Sequence, residues 1–219
     1  MMSSFKFPAV MVGATLFAIG SVVAQPQQDM TKHAGPNVPA TLPAAGHGHG
    51  HDATSDAEQK HAQMFSTMTE AVTVLHPLKN SGVSGTVRFT EIEGGKVRVV
   101  FNVSGLTSNG KHAIHIHEFG DLSSDDGMST GGHYNPEGHA HGKPGDKDIH
   151  AGDFGNLEAD AQGNATMELT VDNITIAGMK NPIIGRGVIV HEKADDFGQP
   201  VGNAGGRIAA GVIGVGKAK

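Results

Sequence analysis

Seven of the fourteen histidines lie between Lys111 and Asp153, and the first chemistry this clustering suggests is metal binding. In this stretch His115 and His117 alternate with Ile114 and Ile116. Alternation with a period of two is typical of a β-strand, so both imidazoles project from one face and both isoleucines from the other. Two imidazoles on one strand face favour a transition-metal site.

The residues that follow this strand are rich in Gly, Asp, Ser and Pro, which indicates a long loop. The loop carries further potential ligands, namely His133, His139, His141, His150 and Asp153. A long loop stays ordered in a compact domain when something fixes it, and a metal ion can do so. The alternative is that these histidines are polar surface residues or an unstructured metal-scavenging tract. Two histidines on one strand face and a carboxylate, Asp153, at the end of the loop favour the metal site.

The elements that must position these residues are short strands. Alternating or β-branched segments predict strands at residues 71–75, 82–92, 96–103, 165–171, 187–191 and 207–215, in addition to the strand with His115 and His117. Glu93-Gly94-Gly95 predicts a hairpin turn. Since no segment has a helical period, the pattern predicts an all-β, antiparallel barrel or sandwich.

Four motifs then resemble the successive signatures of the copper–zinc superoxide dismutase family: HAIHIHEFGD, GGHYNP, HGKPGDKDIHAGDFGN and GRGVIVHEKADDFGQPVGNAGGRIAAGVIG. The resemblance covers about residues 67–215, and four motifs in the family's order make it specific. It implies an eight-stranded antiparallel Greek-key barrel with two long metal-binding loops. It also implies the dismutation of superoxide to oxygen and hydrogen peroxide, with Cu and Zn as cofactors.

The resemblance assigns the ligands residue by residue. Copper would be held by His115, His117, His133 and His191, and zinc by His133, His141, His150 and Asp153. His133 would bridge both metals and take part in catalysis. His139 matches no ligand position and is expected to face solvent.

Three further residues take roles from the resemblance. Arg207 would lie beside copper and attract the superoxide anion, a role that suits a permanently charged guanidinium. Asp195 would link the copper ligand His117 to the zinc ligand His141, since such partners orient metal-binding imidazoles. His112 would tether the loops by hydrogen bonds.

The amino-terminal part predicts export. Residues 1–24 combine Lys6, a short apolar run and the small residues Val22-Val23-Ala24, as in a secretory signal peptide. Residues 25–66 predict a disordered His-rich extension before the dismutase-like domain at residues 67–219. In this extension His47, His49 and His51 alternate with glycine and could capture copper, although metal affinity without physiological consequence explains them equally well.

Composition excludes several classes of function. The chain has no cysteine, which removes thiol nucleophiles, thiolate metal sites and disulfides. The formal net charge of −6 argues against nucleic acid as a partner. The resembled family commonly carries a disulfide whose positions fall on Ala210 and on Gly127 or Met128 here, so this bond cannot form. Losing such a bridge costs about 2–5 kcal/mol, which metal binding is expected to offset.

Two functions from different classes fit the sequence. One is an exported superoxide dismutase, whose partner is the small molecule superoxide, with no membrane association after removal of the signal peptide. The other is a non-catalytic exported protein that binds or buffers copper and zinc on the same fold. The presence of every copper ligand and of Arg207 favours the enzyme. Whether the chain forms a homodimer is left open.

Overall fold

The computed structural model describes residues 67–218 together with Lys60 and Gln63. The predicted signal peptide lies outside this part, as do His47, His49, His51 and all of the predicted extension except Lys60 and Gln63. Their assignments therefore stay predictions. None of the described residues belongs to a helix with the length and hydropathy needed to cross a bilayer.

Nine strands run through residues 67–218. They are β1 Glu70–Pro77, β2 Ser84–Ile92, β3 Lys96–Ser104, β4 Lys111–His117, β5 Asp153–Glu158, β6 Ala165–Val171, β7 Gly187–His191, β8 Arg207–Val212 and β9 Gly214–Val215. One turn of 3₁₀ helix, Met128–Thr130, interrupts the loop after β4.

The strands form one antiparallel ladder in the order β5-β4-β7-β8-β1-β2-β3-β6, with β9 paired to β1. β3 pairs with β6 and β4 pairs with β7, although these strands are not consecutive in the sequence. Such pairing is typical of a Greek key, in which a long connection brings the chain back beside an earlier strand. The ladder curls into a nearly closed eight-stranded barrel, which confirms the predicted fold class. The longest connection follows β4, and it meets the connection after β7 where the Gln199 side chain bonds the backbone of His141.

The core follows the period-two pattern of the strands. In β3, Val97, Val99, Phe101 and Val103 are buried, while the residues between them face outwards or are only partly covered. Phe154 of β5 reaches Phe101 of β3 with ring centroids 5.4 Å apart in an edge-to-face contact. This contact packs β5, at one end of the ladder, against β3, the last strand but one at the other end.

Two details differ from the strand prediction. β5 was not predicted, because it follows a loop and contains Asp153, Gly155 and Asn156, residues typical of turns; Gly155 has a φ of +74°. The segment 207–215, predicted as one strand, breaks at Ile213. There the backbone bonds Arg186 and Gly185 before the chain moves on to pair with β1.

Candidate metal centre

The central strand of the site is β4, and its alternation separates core from ligands as expected. Ile114 and Ile116 belong to the hydrophobic core. His115 lies opposite Asp153 of β5 and Ile189 of β7, so it sits in the middle of three paired strands. Its neighbour His117 lies at the end of β4, where a bridge to His133 brings in the long loop.

A first cluster contains four buried histidines whose ligand nitrogens lie within 4.8 Å of one another: His115, His117, His133 and His191. Two come from β4, one from the loop after β4 and one from the end of β7. The Nε2 atoms of His117 and His191 face each other at 3.4 Å. Four imidazoles converge here although they are separated by as much as 76 positions between His115 and His191.

A second cluster contains His133, His141, His150 and Asp153, again buried and with ligand atoms within 4.8 Å. Asp153 Oδ1 lies 3.2 Å from His133 Nδ1 and 3.3 Å from His150 Nδ1. Its Oδ2 lies 2.8 Å from His141 Nδ1. His133 belongs to both clusters, so the two groups share one ring.

Burial lowers the pKa of three imidazoles of the first cluster, those of His115, His117 and His191, and so keeps them neutral. His117 Nδ1 lies 3.0 Å from the Gly131 carbonyl, which can only accept, so Nδ1 carries the proton and Nε2 the lone pair. His115 Nε2 donates to Asp195, and its buried Nδ1 has no hydrogen-bond partner. Burial is the main reason that the pKa of His115 falls to about 4 and that of His191 to about 3.

The second cluster has the opposite electrostatics. Burial disfavours a charged His141, but hydrogen bonds to Asp153 and Asp195 outweigh it and raise the pKa of His141 to about 9. Burial likewise disfavours charge on Asp153, yet bonds from His133 and His141 hold the pKa of its carboxyl far below the usual range. At neutral pH His141 is therefore a cationic imidazole between the carboxylates of Asp153 and Asp195.

Comparison with known proteins places this arrangement in a family. The family model described as copper/zinc superoxide dismutase matches residues 83–213. This chain belongs to that family. A crystal structure of the clock protein EA4 is 42% identical in sequence and superposes with a TM-score of 0.62; the match covers 68% of this chain and 96% of that one.

The two clusters fit the copper and zinc that this family binds. The buried Nδ1 atoms of His115 and His191, which have no hydrogen-bond partner, and the two Nε2 atoms of His117 and His191 that face each other call for a cation. Imidazoles alone suit copper, whereas three imidazoles and one carboxylate form the closed N/O set that zinc prefers. The residues present are therefore consistent with both ions of a copper/zinc superoxide dismutase.

One partner predicted for Asp195 is wrong. Its Oδ1 lies 2.9 Å from His141 Nε2, as expected, but its Oδ2 lies 2.9 Å from His115 Nε2 and not at His117. The reason is the strand order: Asn156 of β5 bonds the backbone of Asp195, and β5 pairs with β4 at His115. His117 bonds Gly131 instead.

His112 lies near the start of β4 and tethers two segments. Its Nδ1 donates to the carbonyl of His191 at 2.9 Å, and its Nε2 accepts from the amide of Thr107 at 3.3 Å. Both ring nitrogens are thus occupied by backbone groups, and His112 is absent from both ligand clusters. The bond to His191 fixes the backbone from which a ligand projects.

Arg207 begins β8 opposite His191 and turns its guanidinium towards the loop before His133. It donates to the carbonyls of Gly127 and Gly131 and to the hydroxyl of Thr130, at 2.6 to 2.7 Å. Its positive charge contributes to the lowered pKa of His117 after burial. A fixed cation therefore stands at the edge of the first cluster, within electrostatic reach of its imidazoles.

Several residues at the site were not found from sequence. Gln199 makes two bonds to the backbone of His141, at 3.1 Å from its amide and 2.7 Å to its carbonyl. Asn156 makes the corresponding pair with Asp195. Amide side chains of this kind carry no ligand signal in a sequence, since their role depends on which backbone they face. His139 is half-buried, bonds the Ile149 carbonyl and belongs to neither cluster.

Proposed function

We propose that the protein dismutates superoxide, with one superoxide oxidised to oxygen and a second reduced to hydrogen peroxide. The observation that carries the proposal is the shared ring of His133, which joins a four-imidazole cluster to a three-imidazole, one-carboxylate cluster. Membership of the family supports the same activity. In this assignment copper takes His115, His117, His133 and His191, and zinc takes His133, His141, His150 and Asp153.

Copper bound at the first cluster would supply the one-electron chemistry, and zinc at the second would supply a fixed charge. Arg207 would attract the anion, because its guanidinium is held beside the cluster by three hydrogen bonds. His133 would offer the lone pair of its Nε2 to the first cluster, since its Nδ1 faces the carboxylate of Asp153, and would take part in catalysis as the ring shared by both clusters. Asp195 would fix the rings of His115 and His141 by accepting from their Nε2 atoms.

A second candidate is a non-catalytic protein that binds or buffers copper and zinc on the same fold. It is favoured by the name of the EA4 structure, a clock protein that is 42% identical to this chain. Both candidates use the same ligands, so metal binding alone does not separate them. The two candidate functions differ in whether Arg207 and the first cluster bind superoxide as a substrate.

The deciding experiment is a superoxide-consumption assay on protein reconstituted with copper and zinc, with metal content measured on the same sample. We expect consumption that depends on copper occupancy and disappears when a chelator removes the metal. A matched control is the Asp153→Ala variant loaded with copper alone, in which the second cluster is incomplete. Fully metallated protein without activity would favour the buffering function.

We further propose that residues 1–24 direct export and that His47, His49 and His51 capture copper for the first cluster. Deletion of residues 25–62 tests the capture role, because copper loading at limiting copper should then slow. Unchanged loading would contradict it. Homodimer formation, which the resemblance leaves open, is tested by sedimentation of the metallated protein.

A further inference from the structure

The guanidinium of Arg207 is fixed by three acceptors from one short loop segment. Two are the backbone carbonyls of Gly127 and Gly131, and the third is the Thr130 hydroxyl, 2.6 Å from Nη1. Of these acceptors, Thr130 alone contributes a side chain. A backbone carbonyl is present whatever the residue, so substitution at position 127 or 131 keeps the acceptor. Substitution at position 130 can remove it, and the orientation of Nη1 therefore depends on the residue at position 130.

Thr130 is itself held in a single orientation. Its side chain is fully buried, and its hydroxyl donates to the Gly127 carbonyl at 2.9 Å. A hydroxyl has one proton, so this bond leaves only lone pairs to face Arg207. Its methyl group lies against Gly187, where an added Cβ would come within 3.2 Å of it. The acceptor offered to Arg207 therefore cannot rotate away.

The loop fixed in this way also orients a proposed copper ligand. The Gly131 carbonyl accepts from Arg207 Nη2 at 2.7 Å and from His117 Nδ1 at 3.0 Å. A movement of the guanidinium would therefore shift the Gly131 carbonyl, which orients the ring of His117. Because the chain has no cysteine, these hydrogen bonds also connect the loop to β8 where no disulfide can do so.

From this geometry we propose that Thr130 is a positioning residue that aims Arg207 at the incoming anion. The inference rests on the proposed function, since it concerns the small anion that Arg207 would attract. Loss of the hydroxyl would leave Nη1 with one acceptor fewer and let the guanidinium turn. The affinity for a small monovalent anion should then fall even though every proposed metal ligand is intact.

The test is titration of the copper- and zinc-loaded protein with azide, followed by the absorption of Cu(II). We expect azide to bind roughly tenfold more weakly to Thr130→Val, since hydrogen bonds to charged groups are of this order. Thr130→Ser keeps the hydroxyl and should bind within about twofold of the parent. Thr130→Ala removes the hydroxyl with less volume and should match Thr130→Val, which covers the case in which valine does not fold.

Ser129→Ala is the control for loop integrity. Ser129 bonds Asp121 and Ser124 within the same loop and makes no bond to Arg207. Its loss should lower the melting temperature without changing azide affinity. Azide affinity unaltered in Thr130→Val and Thr130→Ala, or lowered equally in Ser129→Ala, would overturn the positioning role.

A double-mutant cycle on the metal-free protein separates this inference from the proposed function. The unfolding free energies of Thr130→Val, Arg207→Ile and the double variant should be non-additive, because the two side chains share a hydrogen bond. Additive values would overturn the inference and leave the dismutase proposal standing. If azide affinity and the cycle behave as expected but no superoxide is consumed, the proposed function fails and the positioning role remains.

Discussion

Asp195 and His115 are joined by a hydrogen bond of 2.9 Å between the Oδ2 and Nε2 atoms, and neither side chain is exposed. The other oxygen of the same carboxylate reaches His141. One carboxylate therefore orients a ligand of each cluster. Loss of such a partner typically lowers metal affinity by roughly 10- to 100-fold.

Replacing Asp195 should weaken zinc binding first. In Asp195→Asn the side chain has one acceptor oxygen instead of two, so it cannot accept hydrogen bonds from both imidazoles. His141 then loses its fixed orientation. We expect zinc affinity, measured by competition with a chromophoric chelator, to fall roughly 10- to 100-fold. The control is Asp196→Asn, because Asp196 is exposed and bonds Asn203 instead of a ligand. Equal zinc affinity in the Asp195 variant and the parent would contradict the role.

Removing the guanidinium at position 207 should lower turnover while the metals stay bound. In Arg207→Ile the charge beside the first cluster disappears, but all seven proposed ligand residues remain. We expect kcat/KM for superoxide to fall at least about tenfold, the order of electrostatic steering effects. Arg88→Ile, which removes an arginine paired with Glu70 on the barrel, is the charge-matched control. Full activity without Arg207 would refute its role.

The sequence allowed prediction of residue types that act through their own chemistry. The alternation around His115 and His117 predicted a ligand-bearing face, and the structure does bury Ile114 and Ile116 on the other side. The partner of Asp195 was mispredicted because spacing along a chain does not say which strand lies alongside. Asp195 reaches His115 because β5 pairs with β4. The sequence pattern does not indicate β5, because it contains Gly155 and other residues typical of turns.

Residues that act on backbone groups were beyond the reach of sequence reasoning. Gln199 and Thr130 are ordinary polar residues until folding places them against His141 and Arg207. Their hydrogen bonds span 58 and 77 positions respectively, so no local pattern indicates them. The loop motifs resemble the family closely enough to assign the ligands. They do not indicate the hydrogen bonds that hold those ligands in place.

Zinc affinity should depend steeply on pH in the neutral range. The pKa of His141 in the metal-free protein is about 9, above its ordinary value of 6.5, so its Nδ1 is protonated at neutral pH. Zinc must displace this proton, since a ligand nitrogen needs a free lone pair. Apparent zinc affinity should therefore rise by up to about tenfold per pH unit between about pH 7 and 9, and level off above this range.

Isothermal titration of the metal-free protein with Zn²⁺ in two buffers of different ionisation enthalpy counts the protons released. The His141→Gln variant is the matched control and should release one proton fewer at pH 7.5. Equal proton release in the parent and the variant would show that His141 is neutral before zinc binds.

Removing the metals should lower the melting temperature markedly. No disulfide connects the loop after β4 to β8, and the buried imidazoles lose the cation that they face. A ligand at a thousand times its Kd stabilises by about 4 kcal/mol, which corresponds to roughly 8–16 °C for a domain of this size. Calorimetry with and without a chelator measures the difference. Similar melting temperatures would mean that contacts such as the bonds of Arg207 hold the loop unaided.

Thr73 offers a way to raise the stability of the barrel without touching the metal centre. It lies on β1, is fully buried, and its hydroxyl has no hydrogen-bond partner. Burying an unsatisfied hydroxyl costs free energy, and valine fills the same β-branched shape with an apolar group. Thr73→Val should therefore raise the unfolding free energy of the metal-free protein by about 1 kcal/mol in urea titrations. Thr86→Val, at an exposed position of β2, should stay within about 0.5 kcal/mol. A loss of stability in Thr73→Val would show that its hydroxyl is satisfied in solution.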